Sequence, residues 1–388
     1  MIMWQKKWSI ILTGIFLSLI CSGGFAQQVE AKDIKSLMGK AVVCKVNAWT
    51  VATSLMWVGY GIPNLLDAQV QTKVRCTKAI FAMLKGDNER ALHFLTLNYW
   101  FGQMFCGKMV LISNLVGIAM KSITCGGMEI YLANACRTPE EVKTFFDALC
   151  KLRVTDETLH WDDYKYLDSP TEKFYKKIRV LKDNYLEVKT RWDVAETKSR
   201  LLLAGAAARY NFLKTGQFPR EAADFAPLLP EGLPQDPFTG TPLCFIGNRD
   251  PFVVYSVGPD KKDDSASITY DPTNGTISPG DVFIEIPRKP RYPIPPKGQL
   301  ATTKEGLMKQ FPNNLPPDSF HDVRGAPLSI TDTVPAKIIS FGPDTDSSRV
   351  RPDGAGLLPL QPAYDPTNGT ISPGDLILDT ADINFKER

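Results

Sequence analysis

The chain has 388 residues, room for two or three domains, and at 44% apolar and 22% charged it can bury a core and is not globally disordered. With 45 Lys and Arg against 42 Asp and Glu the net charge is +3, too small a field to attract nucleic acid or an anionic membrane surface. The three histidines, His93, His160 and His321, lie far apart in sequence, so no H-E-x-x-H or other His-rich zinc pattern is present.

The N-terminus carries Lys6 and Lys7, then the uncharged run Ser9–Ile20, then Gly24-Phe25-Ala26. A charged start, a short apolar stretch and small residues at a cleavage site define a secretory signal peptide over residues 1–26. Ile20 before Cys21 is too large for a lipoprotein site. The expected location is therefore outside the cytosol, in the periplasm or at the cell surface. In that setting Cys44, Cys76, Cys106, Cys125, Cys136 and Cys150 are either partners in bridges or buried thiols. Cys244 stands apart.

Residues 33–155 read as a helical domain. Val70, Val74, Ile80, Phe81 and Leu84 recur at helical spacing, Gly86 ends that helix and Asp87 caps the next. A further helix is expected over about 108–135, and Thr138-Pro139-Glu140-Glu141 is a helix start. Val46–Ile62 and Ala91–Met120 are unusually apolar. Polar residues within both favour a buried bundle, with membrane contact through this apolar region as the alternative. Residues 156–190 read as a charged, solvated connecting helix, with acids interleaved among the bases.

The texture changes near Trp192. A long helix over about 193–215 is followed by Pro- and Gly-rich short strands. The twelve residues Y-D-P-T-N-G-T-I-S-P-G-D occur at Tyr270–Asp281 and again at Tyr364–Asp375. Two looser blocks precede each copy in the same order. Leu233–Leu243 pairs with Leu315–Leu328, and Tyr255–Asp260 with Ile339–Asp344. One small β-rich unit is thus duplicated, and the second copy has only Thr303–Phe311 in place of the long helix. Between the copies, residues 288–302 include P-R-K-P-R-Y-P-I-P-P-K, a stiff polyproline-type linker or, alternatively, a ligand for a proline-recognition module.

The order A-A-A-R-Y-N-F-L-K-T-G-Q-F-P, L-P-Q-D-P-F-T-G-T-P-L, Y-S-V-G-P-D and G-D-V resembles the C-terminal domain of the type II secretion major pseudopilin. The matching positions are Tyr210, Gly216, Phe218, Pro219, Asp236, Pro237, Phe238, Gly240, Pro242, Ser256, Gly258, Asp260, Asp281 and Val282. The resemblance covers residues 192–286, with 303–380 as a partial second copy. The helical region is similar to exported proteins that carry the same unit, through G-D-N-E-R-A-L and L-I-S-N-L-V-G-I-A. The apolar segment here precedes the cleavage site, and no long apolar helix with a fifth-position Glu follows Gly24, so the pilin N-terminus is not matched.

The resemblance implies an α+β fold: an all-α bundle, then a pseudopilin-like long helix with a small antiparallel sheet, duplicated in part. The expected domains are 33–155, 156–190 as connector, 191–287, 288–302 as linker and 303–388. The resemblance also implies a calcium ion in the loop after S-x-G-x-D. Asp260, Asp264 and Asp281 are the candidate ligands in the first copy, and Asp344 and Asp375 in the second. Carboxylates in a turn-rich loop suit a hard cation that takes 6–8 oxygens. No G-x-S-x-G, P-loop or dinucleotide fingerprint is present. The expectation is a non-catalytic exported protein with partners in the envelope or the secretion machinery. The alternative is an extracytoplasmic hydrolase with its site in the helical domain.

Overall fold

The computed structural model describes residues 65–106, 111–157, 179–271, 279–319, 327–340 and 376–380. These form six α-helices and two small antiparallel sheets, with the helices concentrated toward the N-terminal side. The signal peptide, Cys44 and Val46–Ile62 lie outside the described residues. Contacts divide the chain into Met1–Leu66 and Asp67–Arg388, and apart from the start of the first helix every element below belongs to the second unit.

Helix α1 (Leu65–Leu84) ends where Gly86 takes φ +74°. Asp87 N–H and Gly86 N–H return to Ala82 and Met83 carbonyls at 2.9 and 2.8 Å, closing the turn. Asp87 then caps α2 (Asn88–Phe105), accepting from Arg90 N at 3.2 Å. Helix α3 (Leu111–Asn134) returns along α2. The two cross where Gly102 meets Gly117, and a Cβ on Gly117 would stand 2.6 Å from the Gly102 carbonyl oxygen. Helix α4 (Pro139–Glu157) starts with a reciprocal capping box. Thr138 Oγ1 accepts from Glu141 N at 3.2 Å, and Glu141 Oε2 accepts from Thr138 N at 3.0 Å.

Sequence periodicity divided the next stretch into a connector and a long helix. In the structure its described part is one 37-residue helix, α5 (Arg179–Thr215), about 55 Å long. It is the spine of the molecule, packed on α3 and α4 along one side and on the first sheet along the other. Residues Leu201–Ala208 are buried all round for that reason. Small residues are needed where three layers meet. A Cβ on Gly205 would fall 2.5 Å from Ile284 Cδ1 and 3.4 Å from Leu132 Cδ2.

The first sheet has the order β1 (Cys244–Ile246), β2 (Phe252–Ser256), β3 (Val282–Ile286). Phe252, Val254, Ile284 and Ile286 face the main core, and the alternate residues Val253 and Tyr255 face a smaller cluster with Ala266. The second sheet repeats the order with β4 (Ser329–Ile330), β5 (Lys337–Ser340) and β6 (Leu376–Asp379), after the short helix α6 (Lys304–Gln310). β1, β3, β4 and β6 each follow a repeated block, and β2 and β5 run into the blocks Tyr255–Asp260 and Ile339–Asp344. The bridge Gln235–Pro242 has its counterpart in Pro317–Pro327, and the bond Leu243 N to Pro234 O in Leu328 N to Pro316 O.

One apolar cluster runs from Cys76 on α1 through α5 and the first sheet to Leu378 on β6. The helical part and the sheets therefore share a core across the sequence boundaries drawn at 156–190 and 288–302. The proline-rich segment is seated on the helical part, with Ile294 and Pro295 buried. Among the described residues, all six cysteines are free thiols: Cys76, Cys106, Cys125, Cys136, Cys150 and Cys244.

One described stretch, Asn114–Asn134 in α3, is long and apolar enough to cross a membrane. Lys121 lies within it and is fully buried. Its ammonium sits 4.5 Å from the Trp192 ring centre and 5.1 Å from that of Tyr99. Glu196, on α5, is held by Arg200 at 2.8 Å and Arg153 at 3.8 Å. Burial alone would raise the Glu196 carboxyl, but the charges of Lys121, Arg200 and Arg153 outweigh it and hold the group below its ordinary value.

Candidate cation-binding loop

The described parts of the segment between β2 and β3 are residues 257–271 and 279–281; the first leaves β2 and folds back over the outer face of the first sheet. Ala266 closes it onto Val253 and Tyr255. Its two ends meet at glycines. Gly258 has φ +70°, and a Cβ there would lie 2.4 Å from the Gly280 carbonyl oxygen. No other residue tolerates both the dihedral and the contact. Asp260 and Asp281 flank this point. Thr269 pairs with Asp281 in a parallel bridge, through Tyr270 N to Asp281 O at 3.0 Å and Asp281 N to Ile268 O at 2.8 Å.

Asp281 is fully buried. Its Oδ2 accepts from Ala266 N at 2.6 Å, and its Oδ1 has no hydrogen-bond partner. Burial pushes this carboxyl above its ordinary value; hydrogen bonds from the Ala266 and Asp264 backbone oppose the rise, and the charges of Asp263 and Asp264 add to it. Asp260 Oδ1 accepts from Lys262 N at 3.2 Å, while its Oδ2 is likewise buried and without a partner. Asp263 is committed to the loop, accepting from Tyr255 Oη at 3.1 Å and Ser265 N at 2.8 Å. Asp264 uses its backbone carbonyl to hold Ser267, through N at 3.0 Å and Oγ at 2.6 Å. Lys261, Ser265 and Ala266 all take positive φ, so the loop is held in a conformation that L-residues resist.

Of the five sequence-predicted ligands, Asp260 and Asp281 present oxygens with nothing to bind, and Asp264 is half-exposed beside them. Asp344 and Asp375 lie outside the described residues. The residues fit a hard divalent cation in the chemistry of their donors. An orphaned buried carboxylate oxygen costs free energy that a cation would return. Among the described residues no three His, Cys, Asp or Glu side chains converge on one point. The remaining oxygens of a calcium shell would therefore be loop carbonyls and water.

Sequence reasoning assigned no structural role to Asp236 in L-P-Q-D-P-F. It is buried, accepts from Phe238 N at 2.9 Å and Val257 N at 3.1 Å, and so ties the turn before β1 to the root of the loop. Its counterpart Asp318 is also buried and accepts from Ser340 Oγ at 2.6 Å. Retention of Asp in both copies was the available signal. No protein-family model, no curated protein and no solved structure matches this chain.

Proposed function

We propose that this chain is a non-catalytic exported protein of the cell envelope or the secretion apparatus. Its helical part presents an interaction surface, and its two β-units are of the type II secretion pseudopilin kind, each with a calcium-stabilised loop. The observation that carries the reading is the pair of buried, unpartnered carboxylate oxygens on Asp260 and Asp281, set beside the Gly258–Gly280 contact. The order of motifs through residues 192–286 supports the same reading.

A bound calcium would supply positive charge to the two carboxylate oxygens that lack hydrogen-bond partners. The chain's own residues do the rest. Asp281 Oδ2 fixes Ala266 over Val253 and Tyr255, and Asp263 holds the Tyr255 hydroxyl. Holding the loop closed keeps water off the outer face of the sheet. The test is thermal unfolding of the full chain in millimolar calcium against chelator. A ligand at a hundredfold excess over Kd adds about 2.7 kcal/mol. The melt should rise by several degrees with calcium and much less with magnesium. An unchanged melt refutes the ion-binding reading.

A further inference from the structure

The proline-rich segment is not a free spacer. Tyr292 donates its N–H to Asn134 Oδ1 at 2.8 Å, and the Arg137 guanidinium donates to the Ile294 carbonyl. These two groups, two residues apart, are read along one edge of an extended chain. Lys297 pairs with Asp87 at 3.4 Å. At Gly86 the contact is so close that a Cβ would stand 2.5 Å from Lys297 N and 2.8 Å from Pro295 O. Ile294 is 4% exposed. Upstream, Arg291 pairs with Glu285, and Arg209 holds the Pro287 and Arg288 carbonyls.

The surface that receives this strap is built from the α1–α2 turn and the α3–α4 turn, and it is tied together without the strap. Tyr131 Oη donates to Asn88 O at 3.2 Å, and Asn88 Nδ2 donates to the Ala135 carbonyl and to Glu141 Oε1, both at 3.4 Å. Asn134 Nδ2 donates to Ile130 O at 2.7 Å, which leaves its Oδ1 facing outward as an acceptor. The platform offers an acceptor, a cationic donor, an apolar seat and an anion in sequence. An extended segment in which Pro293, Pro295 and Pro296 bring no N–H to satisfy is well matched to it.

We propose that this platform is a recognition site for an extended proline-containing segment, and that Tyr292–Lys297 is its ligand in cis, latching the second β-unit to the helical part. Tethering sets an effective concentration on the order of millimolar, so a free peptide competes only when the strap is displaced.

The test uses the full chain and the fluorescent peptide RYPIPPK. Ile294→Asp is made to vacate the seat, and Tyr292→Pro, which removes the N–H donor and the phenol ring and fixes φ in the extended range, serves if the first variant does not fold. Hydrogen exchange at the non-proline residues of 291–298 should rise about tenfold in either vacating variant, and trypsin cleavage after Arg291 should rise about tenfold in Ile294→Asp, where that bond stays cleavable. The peptide at tens of micromolar should bind that variant, should not bind the wild type, and should not bind the variant once Asn134→Ala and Arg137→Ala are added. Unchanged exchange in both vacating variants, failure of the peptide to bind a vacated chain, or equal binding to wild type would each overturn the proposal.

Discussion

Arg209 joins three parts of the molecule that sequence reading kept separate. It projects from α5 and is almost wholly buried. Its Nε donates to the Cys136 carbonyl at 3.2 Å, and its Nη1 to the Pro287 and Arg288 carbonyls at 2.9 and 3.3 Å. The α3–α4 turn, the spine helix and the exit from β3 thus meet on one guanidinium, which lies 5.5 Å from the Phe212 ring centre. Arg209→Met keeps the stem and removes the donors. Each carbonyl left buried without a partner costs about 1–3 kcal/mol, partly offset because the buried charge goes too. The expected loss is about 3–5 kcal/mol. At roughly 2–4 °C per kcal/mol for a chain of a few hundred residues, that is a fall in Tm on the order of 10 °C. Arg209→Lys should recover less than half, because one ammonium cannot fan across three carbonyls. Urea unfolding read by tryptophan fluorescence gives the free energy independently. A loss below about 1 kcal/mol for Arg209→Met would show that the three carbonyls find other donors and that the arginine is no keystone.

Gly117→Ala drives a Cβ into the Gly102 carbonyl and the Cys106 backbone, so the α2–α3 hairpin must spread, at about 1–3 kcal/mol by chemical denaturation. Glu196 has a folded-state pKa held below its unfolded value, so its contribution is full above the ordinary carboxylate range and is lost as pH falls through the folded value. Glu196→Gln should destabilise the chain at pH 7 by about 3 kcal/mol and flatten the acid limb of the stability profile, since Lys121, Arg200 and Arg153 then lose the buried charge they share. Asp281 has the opposite sign. Its raised pKa means that stability falls as pH rises from the ordinary carboxylate value through the folded one. Asp281→Asn should therefore leave the chelated chain at neutral pH as stable as wild type or slightly more so, while abolishing the calcium increment in the melt. Burial pushes the Cys76 thiol up to about 12, so among the described cysteines maleimide at pH 8 should label Cys150 and Cys244 first and reach Cys76 and Cys136 only after denaturant. Mass mapping of the labelled peptides checks this.

Local chemistry made parts of this molecule legible and long-range packing hid others. Gly86 with Asp87, and Thr138 with Glu141, are caps whose geometry depends on three or four residues, and the structure shows them as read. The Pro- and Gly-rich texture after the long helix announced short strands without bounding them, and the structure has three-residue to five-residue strands in the first sheet and two-residue to four-residue strands in the second. The sequence showed which carboxylates share the loop but not what each of them does. Asp260 and Asp281 carry the orphaned oxygens, whereas Asp263, which also lies in the loop, serves Tyr255. The shared core was missed because periodicity reports one face of one helix. The run L-L-L-A-G-A-A-A held the clue, since eight residues without a polar side chain leave no face for water. The seat of the strap lay beyond sequence altogether. Asn134 and Tyr292 are 158 positions apart, and nothing in either segment announces the other.

The shared core also sets an order of events during synthesis. The apolar faces of α3 and α4 are finished long before α5 exists to cover them, and α5 in turn waits for Ile284 and Ile286 to be made. Until about residue 286 has emerged, the helices have no complete partner surface. Contacts of such long sequence separation fold slowly and leave aggregation-prone intermediates. Any stop or cut before β3 should therefore yield an insoluble product rather than a smaller folded one, because the apolar faces of the helices would have no sheet to cover them.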